Sequence, residues 1–171
     1  MLFYKVVLQQ NLNSKPLYEK LNRKDFLIGK KNNSFAIPYS PEEFNRWLNQ
    51  NNIFVFFMRD SIIQALLTNS KFSIIISVSE SLKLKLIDCQ FENLELDEIL
   101  EGEDFSVEVI ENILCNADYK LNKVTFRSEN NQIIAIKRNG VLELDNLILE
   151  NEFRVVQAVL DLLNFGPEVV I

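Results

Sequence analysis

Eleven carboxylates lie between Lys85 and Lys120 with no basic residue among them: Asp88, Glu92, Glu95, Asp97, Glu98, Glu101, Glu103, Asp104, Glu108, Glu111 and Asp118. That stretch carries −11, which leaves +5 for the remainder of a chain whose formal net charge is −6. Acids at this density can hold a divalent cation through oxygen ligands, move protons, or set up a field that draws in a basic partner. Glu101, Glu103 and Asp104 crowd around Gly102, yet the twelve-residue calcium-loop spacing is missing. The acids also interleave with Leu94, Leu96, Ile99, Leu100, Phe105, Val107 and Ile110, as the solvated side of amphipathic elements would.

Other chemistry is thin. The chain has no histidine, which removes Ser–His and Cys–His pairings, the usual zinc sites and the commonest general base near neutral pH. It has only four glycines and neither the GxGxxG nor the GxxxxGK(S/T) phosphate-cradling pattern. Cys89 and Cys115 sit among apolar neighbours in no metal-binding spacing, so both are expected as buried free thiols in a reducing compartment. The acid-x-lysine pattern of metal-dependent nucleases occurs once, as Asp118-Tyr119-Lys120 with Asp104 upstream, between a helix and a strand. It is taken as a chance match. Residues 1–31 hold seven Lys/Arg against two acids, a mildly basic pole without a nucleic-acid-binding motif. No catalytic residue, metal ligand or cofactor is assigned.

The elements that would position these groups centre on residues 123 to 144, which read as a three-stranded antiparallel meander. Its strands are Lys123–Ser128, Gln132–Lys137 and Val141–Leu144. Asn139-Gly140 suggests a two-residue hairpin turn, but that register sets Ile136 opposite Glu143. Three-residue loops at 129–131 and 138–140, with Asn131 and Gly140 left-handed, pair Phe126 with Ile134, Val124 with Ile136, Ile136 with Leu142 and Ile134 with Leu144. Both loops then agree on one apolar face, and register follows the buried face.

Upstream, Leu2–Gln9 reads as a strand with Leu2, Tyr4, Val6 and Leu8 on one side. Ser14-Lys15-Pro16 opens a short helix, and Phe26–Ile28 and Phe35–Tyr39 are short strands. Ser40-Pro41-Glu42-Glu43 is a helix start with a capping box, followed by Phe44, Trp47 and Leu48 on one face. Ile53–Met58 is an unbroken apolar run of strand length and Phe72–Val78 is another apolar, β-branched run, with a helix capped by Asp60 or Ser61 between them. Leu82, Leu84 and Leu86 alternate with lysines before the phase slips to Ile87, Cys89 and Phe91. That slip suggests a bulge or two shorter strands, and a hairpin or bend near Ile87 is favoured. Asp97–Leu100 forms a helical turn ending at Gly102. Ser106 caps a further helix with Val107, Ile110, Ile113 and Leu114 inward, and a final helix turns Phe153, Val156, Val159, Leu160 and Leu163 to the core.

These signals predict one α+β domain over residues 1–171: a mainly antiparallel sheet, with the C-terminal meander 123–144, packed by helices at about 41–50, 60–68, 106–116 and 151–164. No run of about 18 apolar residues and no signal-peptide pattern is present, so a cytoplasmic location without membrane contact is expected. The expected function is a soluble intracellular protein-binding module, of the inhibitor or immunity type, whose acidic surface at about 92–111 covers a basic protein partner. Its partner-binding residues would be Glu95, Asp97, Glu98, Glu101, Glu103, Asp104 and Glu108. A small carboxylate enzyme using a divalent metal, and a structural subunit of a larger assembly, are the alternatives. Oligomeric state and partner identity are not legible.

Overall fold

A computed structural model describes residues 1–10, 25–30, 33–49, 58, 61–92, 94, 100, 104–116 and 118–164. Its organising strand is β1 (Leu2–Gln9), which pairs along one edge with β3 (Ser34–Pro38) and carries β2 (Leu27–Ile28) beyond it. The other edge of β1 is shared. Residues Leu2–Lys5 pair with β8 (Val141–Leu144), whereas Val7–Gln9 pair with the short strand β4 (Ile62–Gln64). At the junction, the Val6 amide donates to Gly140 O at 2.9 Å and the Ala65 amide donates to Val6 O at 3.0 Å.

The sheet continues through β7 (Ile133–Lys137) and β6 (Leu121–Ser128) to β5 (Leu84–Phe91). The full order is β2-β3-β1-β8-β7-β6-β5, with β4 beside β1, and every pairing among the described residues is antiparallel. The meander has the predicted register, with Val124 opposite Ile136, Phe126 opposite Ile134, Ile134 opposite Leu144 and Ile136 opposite Leu142. Both loops turn as three-residue loops must, with φ of 60° at Asn131 and 76° at Gly140. At Gly140 a Cβ would stand 2.1 Å from the Ala65 carbonyl oxygen, so glycine is required twice over.

Two cores flank the sheet. The larger gathers Val124, Phe126, Ile134, Ile136, Leu142 and Leu144 with Tyr4, Val6 and Leu8. It is closed by α2 (Asn69–Ser79), α3 (Val107–Leu114) and α5 (Phe153–Leu163), the last preceded by the single-turn helix α4 (Ile148–Asn151). The smaller core lies on the opposite face, where Val7, Phe35 and Ile37 meet Phe26, Ile62 and Phe44 of α1 (Pro41–Leu48). Tyr39 meets Phe44 edge to face at 5.5 Å. No helix among the described residues is long and apolar enough to cross a membrane.

Several local expectations are corrected. The helix expected at 60–68 is absent: Ser61 turns with φ of 49° and Ile62–Gln64 is β4, recruited by the free edge of β1 beyond the end of β8. The strand expected at Phe72–Val78 is helix α2. Thr68 caps it, its hydroxyl accepting from the Lys71 amide at 3.3 Å, and Phe72, Ile75, Ile76 and Ser79 recur on its buried face at helical spacing. An apolar run alone does not separate a buried strand from a buried helix, and here the cap decides.

The slip in β5 is a bulge within one continuous strand, not a hairpin or bend, because the register jumps by one residue between Leu86 and Asp88. Val107 and Phe153, expected inward, are 37% and 38% exposed, each at the first position of its helix. Cys115, expected buried, is exposed at the end of α3. Of Ile53–Met58 only Met58 is described, and it is helical and exposed. The expected helix near 14–22 and the Trp47 and Leu48 side chains lie outside the described residues.

Candidate functional site

Of the seven residues expected to bind a partner, Asp104 and Glu108 are described, and both are exposed. Glu95, Asp97, Glu98, Glu101 and Glu103 lie outside the described residues. The local geometry at Asp104 and Glu108 follows from the helix start between them. Ser106 is the N-cap of α3, its hydroxyl accepting from the Val109 amide at 3.2 Å. Ile110 and Leu114 then face α2 and the core, which turns Glu108 outward in the first helical turn, where the helix dipole favours an acid.

The other described acids are dispersed. Glu92 pairs with Lys120 at 2.6 Å, Asp88 accepts from the Gln90 amide at 3.2 Å, and Glu111 accepts from the Ser77 hydroxyl of α2. Among the described residues no three metal-ligating side chains stand close enough to share a cation. The arrangement is one of carboxylates aimed at solvent from a helix and its flank.

A second polar cluster, not singled out from the sequence, lies on the face of the meander away from the larger core. Lys123 and Lys137 are directly opposite each other on β6 and β7, where like charges repel. Glu143 on β8 resolves the conflict, with its carboxylate 2.8 Å from the Lys123 ammonium and 2.5 Å from that of Lys137. Burial would raise the Glu143 carboxyl, but the hydrogen bonds from both lysines, with their charges, hold it below the ordinary carboxylate range. Lys5 of β1 belongs to the same end of this face. Its ammonium donates to the Asn139 carbonyl and lies 6.0 Å from the centre of the Tyr39 ring, and burial lowers its pKa. The signal for the triad was present in the sequence, because the loop lengths that set Val124 against Ile136 also set Lys123 against Lys137.

Arg138 forms a clasp at the same end. Its Nε donates to Leu121 O at 2.7 Å, one terminal nitrogen to Leu67 O at 3.1 Å, and the other to Asn69 Oδ1. Asn69 in turn donates to Tyr119 O at 2.6 Å, so one guanidinium ties the β7–β8 loop to the starts of α2 and β6. It also lies 5.7 Å from the centre of the Phe72 ring. Burial lowers the Arg138 pKa, opposed by the charge of Glu92. No sequence pattern announces this clasp, since its acceptors are backbone carbonyls and an amide far apart in the chain.

Cys89 is buried in the larger core, where burial and then the neighbouring Asp88 charge push its thiol up to about 12. It is an inert packing group at neutral pH. No family model, curated protein or solved structure matches the chain.

Proposed function

We propose that this protein is a stoichiometric protein-binding module of the inhibitor or immunity type, which presents the acidic surface of residues 92–111 to a basic partner. One observation carries the reading: Ser106 starts α3 in a phase that buries Ile110 and Leu114 and leaves Asp104 and Glu108 directed at solvent on either side of the cap. Solvated carboxylates on a helix flank do little for proton transfer, which requires a group within hydrogen-bond reach of a bound substrate. They are well placed to steer an approaching basic surface and to set its orientation.

The test is a comparison of the tagged protein with its Asp104→Lys/Glu108→Lys variant as bait in lysate of the source cells. The expected outcome is one basic protein retained by the unaltered bait at low salt, released as salt rises, and bound by the variant with roughly tenfold lower affinity. Equal retention by both baits, or retention indifferent to salt, would overturn the assignment.

A further inference from the structure

Strand β5 is an edge strand: β6 lies along one side, and no strand lies along the other among the described residues. A groove of about 1050 Å³ runs beside its first half, where Leu84, Lys85, Leu86 and Ile87 form one wall and Phe105 and Val107, at the start of α3, form part of the other. The bulge between Leu86 and Asp88 closes this stretch, so about four residues of strand edge face the groove.

The charges at this edge repeat a motif that the sheet resolves elsewhere. Lys85 and Arg127 are directly opposite each other on β5 and β6, both are exposed, and Arg127 also borders the groove. They match Lys123 and Lys137, the other like-charged pair of the same face. There the conflict is settled by a carboxylate on the next strand along, displaced by two positions: Glu143 stands opposite Ala135, two residues before Lys137. At Lys85 and Arg127 there is no next strand among the described residues; Glu80 also borders the groove, and the other acids on or beside it are engaged. Asp88 accepts from Gln90, and Glu129 pairs with Lys83 at 3.0 Å.

We propose that the β5 edge is a strand-addition site for a short extended segment of another protein, carrying an acidic residue that bridges Lys85 and Arg127 as Glu143 bridges Lys123 and Lys137. Backbone hydrogen bonds from the open edge supply the pairing, and alternate side chains of the incoming segment meet Leu84, Leu86, Phe105 and Val107 on the groove side. A second copy of this chain fits less well. Symmetric β5–β5 pairing that sets Lys85 against Asp88 centres on the bulge, and it needs Asp88 and Cys89, which lie beyond the groove. The groove adjoins Asp104 and Glu108, since Phe105 and Val107 lie between them, but the pairing edge is Leu84–Ile87, so Lys85→Gln and Arg127→Gln test it without altering the acidic surface.

The experiment uses a capped octapeptide of alternating valine and glutamate, with its glutamine counterpart, titrated to millimolar concentration into the isotope-labelled full chain and read by backbone NMR. The glutamate peptide is expected to shift and protect amides of Leu84–Ile87. Affinity should drop about three- to fivefold for the glutamine peptide, and by a similar factor for each of Lys85→Gln and Arg127→Gln. Both substitutions are at exposed positions, and the spectrum of each free variant reports whether the fold is kept. No binding, equal affinity for the two peptides, shifts confined to other elements, or sedimentation showing a dimer that occupies β5 would each overturn the proposal.

Discussion

The two faces of the meander are built from the same three strands and are held in different ways. On one face Val124, Phe126, Ile134, Ile136, Leu142 and Leu144 are all fully buried in the larger core. On the other, Lys123, Thr125, Ala135, Lys137 and Glu143 alternate with them, and Glu143 is only 7% exposed. Apolar contact is non-directional and tolerates small shifts, so the first face supplies most of the stabilisation. The ion cluster demands one register: a slip of a single residue would carry Glu143 to the opposite face. The same strands therefore take their stability from one side and a check on their alignment from the other.

Truncating the apolar side should have the larger effect. Phe126 is fully buried at the centre of the meander, opposite Ile134, with Leu86 across β5. Phe126→Ala removes a ring from a site that the sheet and the helices above it keep from collapsing, so urea unfolding is expected to show a loss of about 3–5 kcal/mol. The denaturant slope should stay unchanged. A loss under about 1 kcal/mol would mean that the apolar face is loosely packed, and the contrast between the two faces would disappear.

What was legible in the sequence follows the same division. Period-two alternation with loops of defined length located the meander, its register and its left-handed residues, because only one register buries every apolar side chain. The start of α3 was legible because Ser106 is a good cap with apolar residues at helical spacing behind it. The pattern over residues 60–80 misleads for a physical reason. Ile62-Ile63 becomes a strand only because β1 extends past β8 and offers an edge, a tertiary fact with no local trace. The Phe72–Val78 run satisfies a buried strand and a buried helix equally until Thr68 is recognised as a cap. Of the candidate site, Asp104 and Glu108 were legible as exposed acids around a helix start. The Arg138 clasp was not, since it joins Leu67, Asn69 and Leu121 through backbone oxygens and an amide.

Glu143→Gln tests the polar side. It leaves Lys123 and Lys137 opposed without a counter-charge, but these lysines keep side-chain exposures of 21% and 39%, so water offsets part of the cost. The expected loss is about 1–3 kcal/mol at pH 7, below that for a fully buried pair. Its pH dependence has a definite sign. Glu143 titrates lower in the folded chain than in the unfolded one, where the ordinary value is about 4.3, so its contribution is complete above about pH 5. That contribution is lost as the pH falls through the folded value. The stability gap between the unaltered protein and the variant should therefore narrow on acidification and nearly vanish once the folded carboxyl is protonated. A gap that stays constant down to about pH 2 would show that the substituted amide fails for reasons of shape, not charge.

The smallest effect sharpens the contrast by holding the chemistry fixed and changing only the exposure. Lys83 and Glu129 form an ion pair at 3.0 Å between the residue before β5 and the β6–β7 loop, much like the contacts of Glu143 in length. Their side chains are 69% and 60% exposed, so water already solvates both charges and salt screens what attraction remains. Lys83 also has a φ of 61°. Lys83→Ala would keep that backbone strain, which makes it a cleaner deletion of the ammonium than a glycine would be. The expected change is under about 0.5 kcal/mol and indistinguishable from zero in roughly 0.5 M salt. If this variant matched Glu143→Gln in cost, distance alone would govern the ion pairs of this sheet. If it is silent, the two lysines around Glu143 matter because the sheet has taken their shared carboxylate out of water.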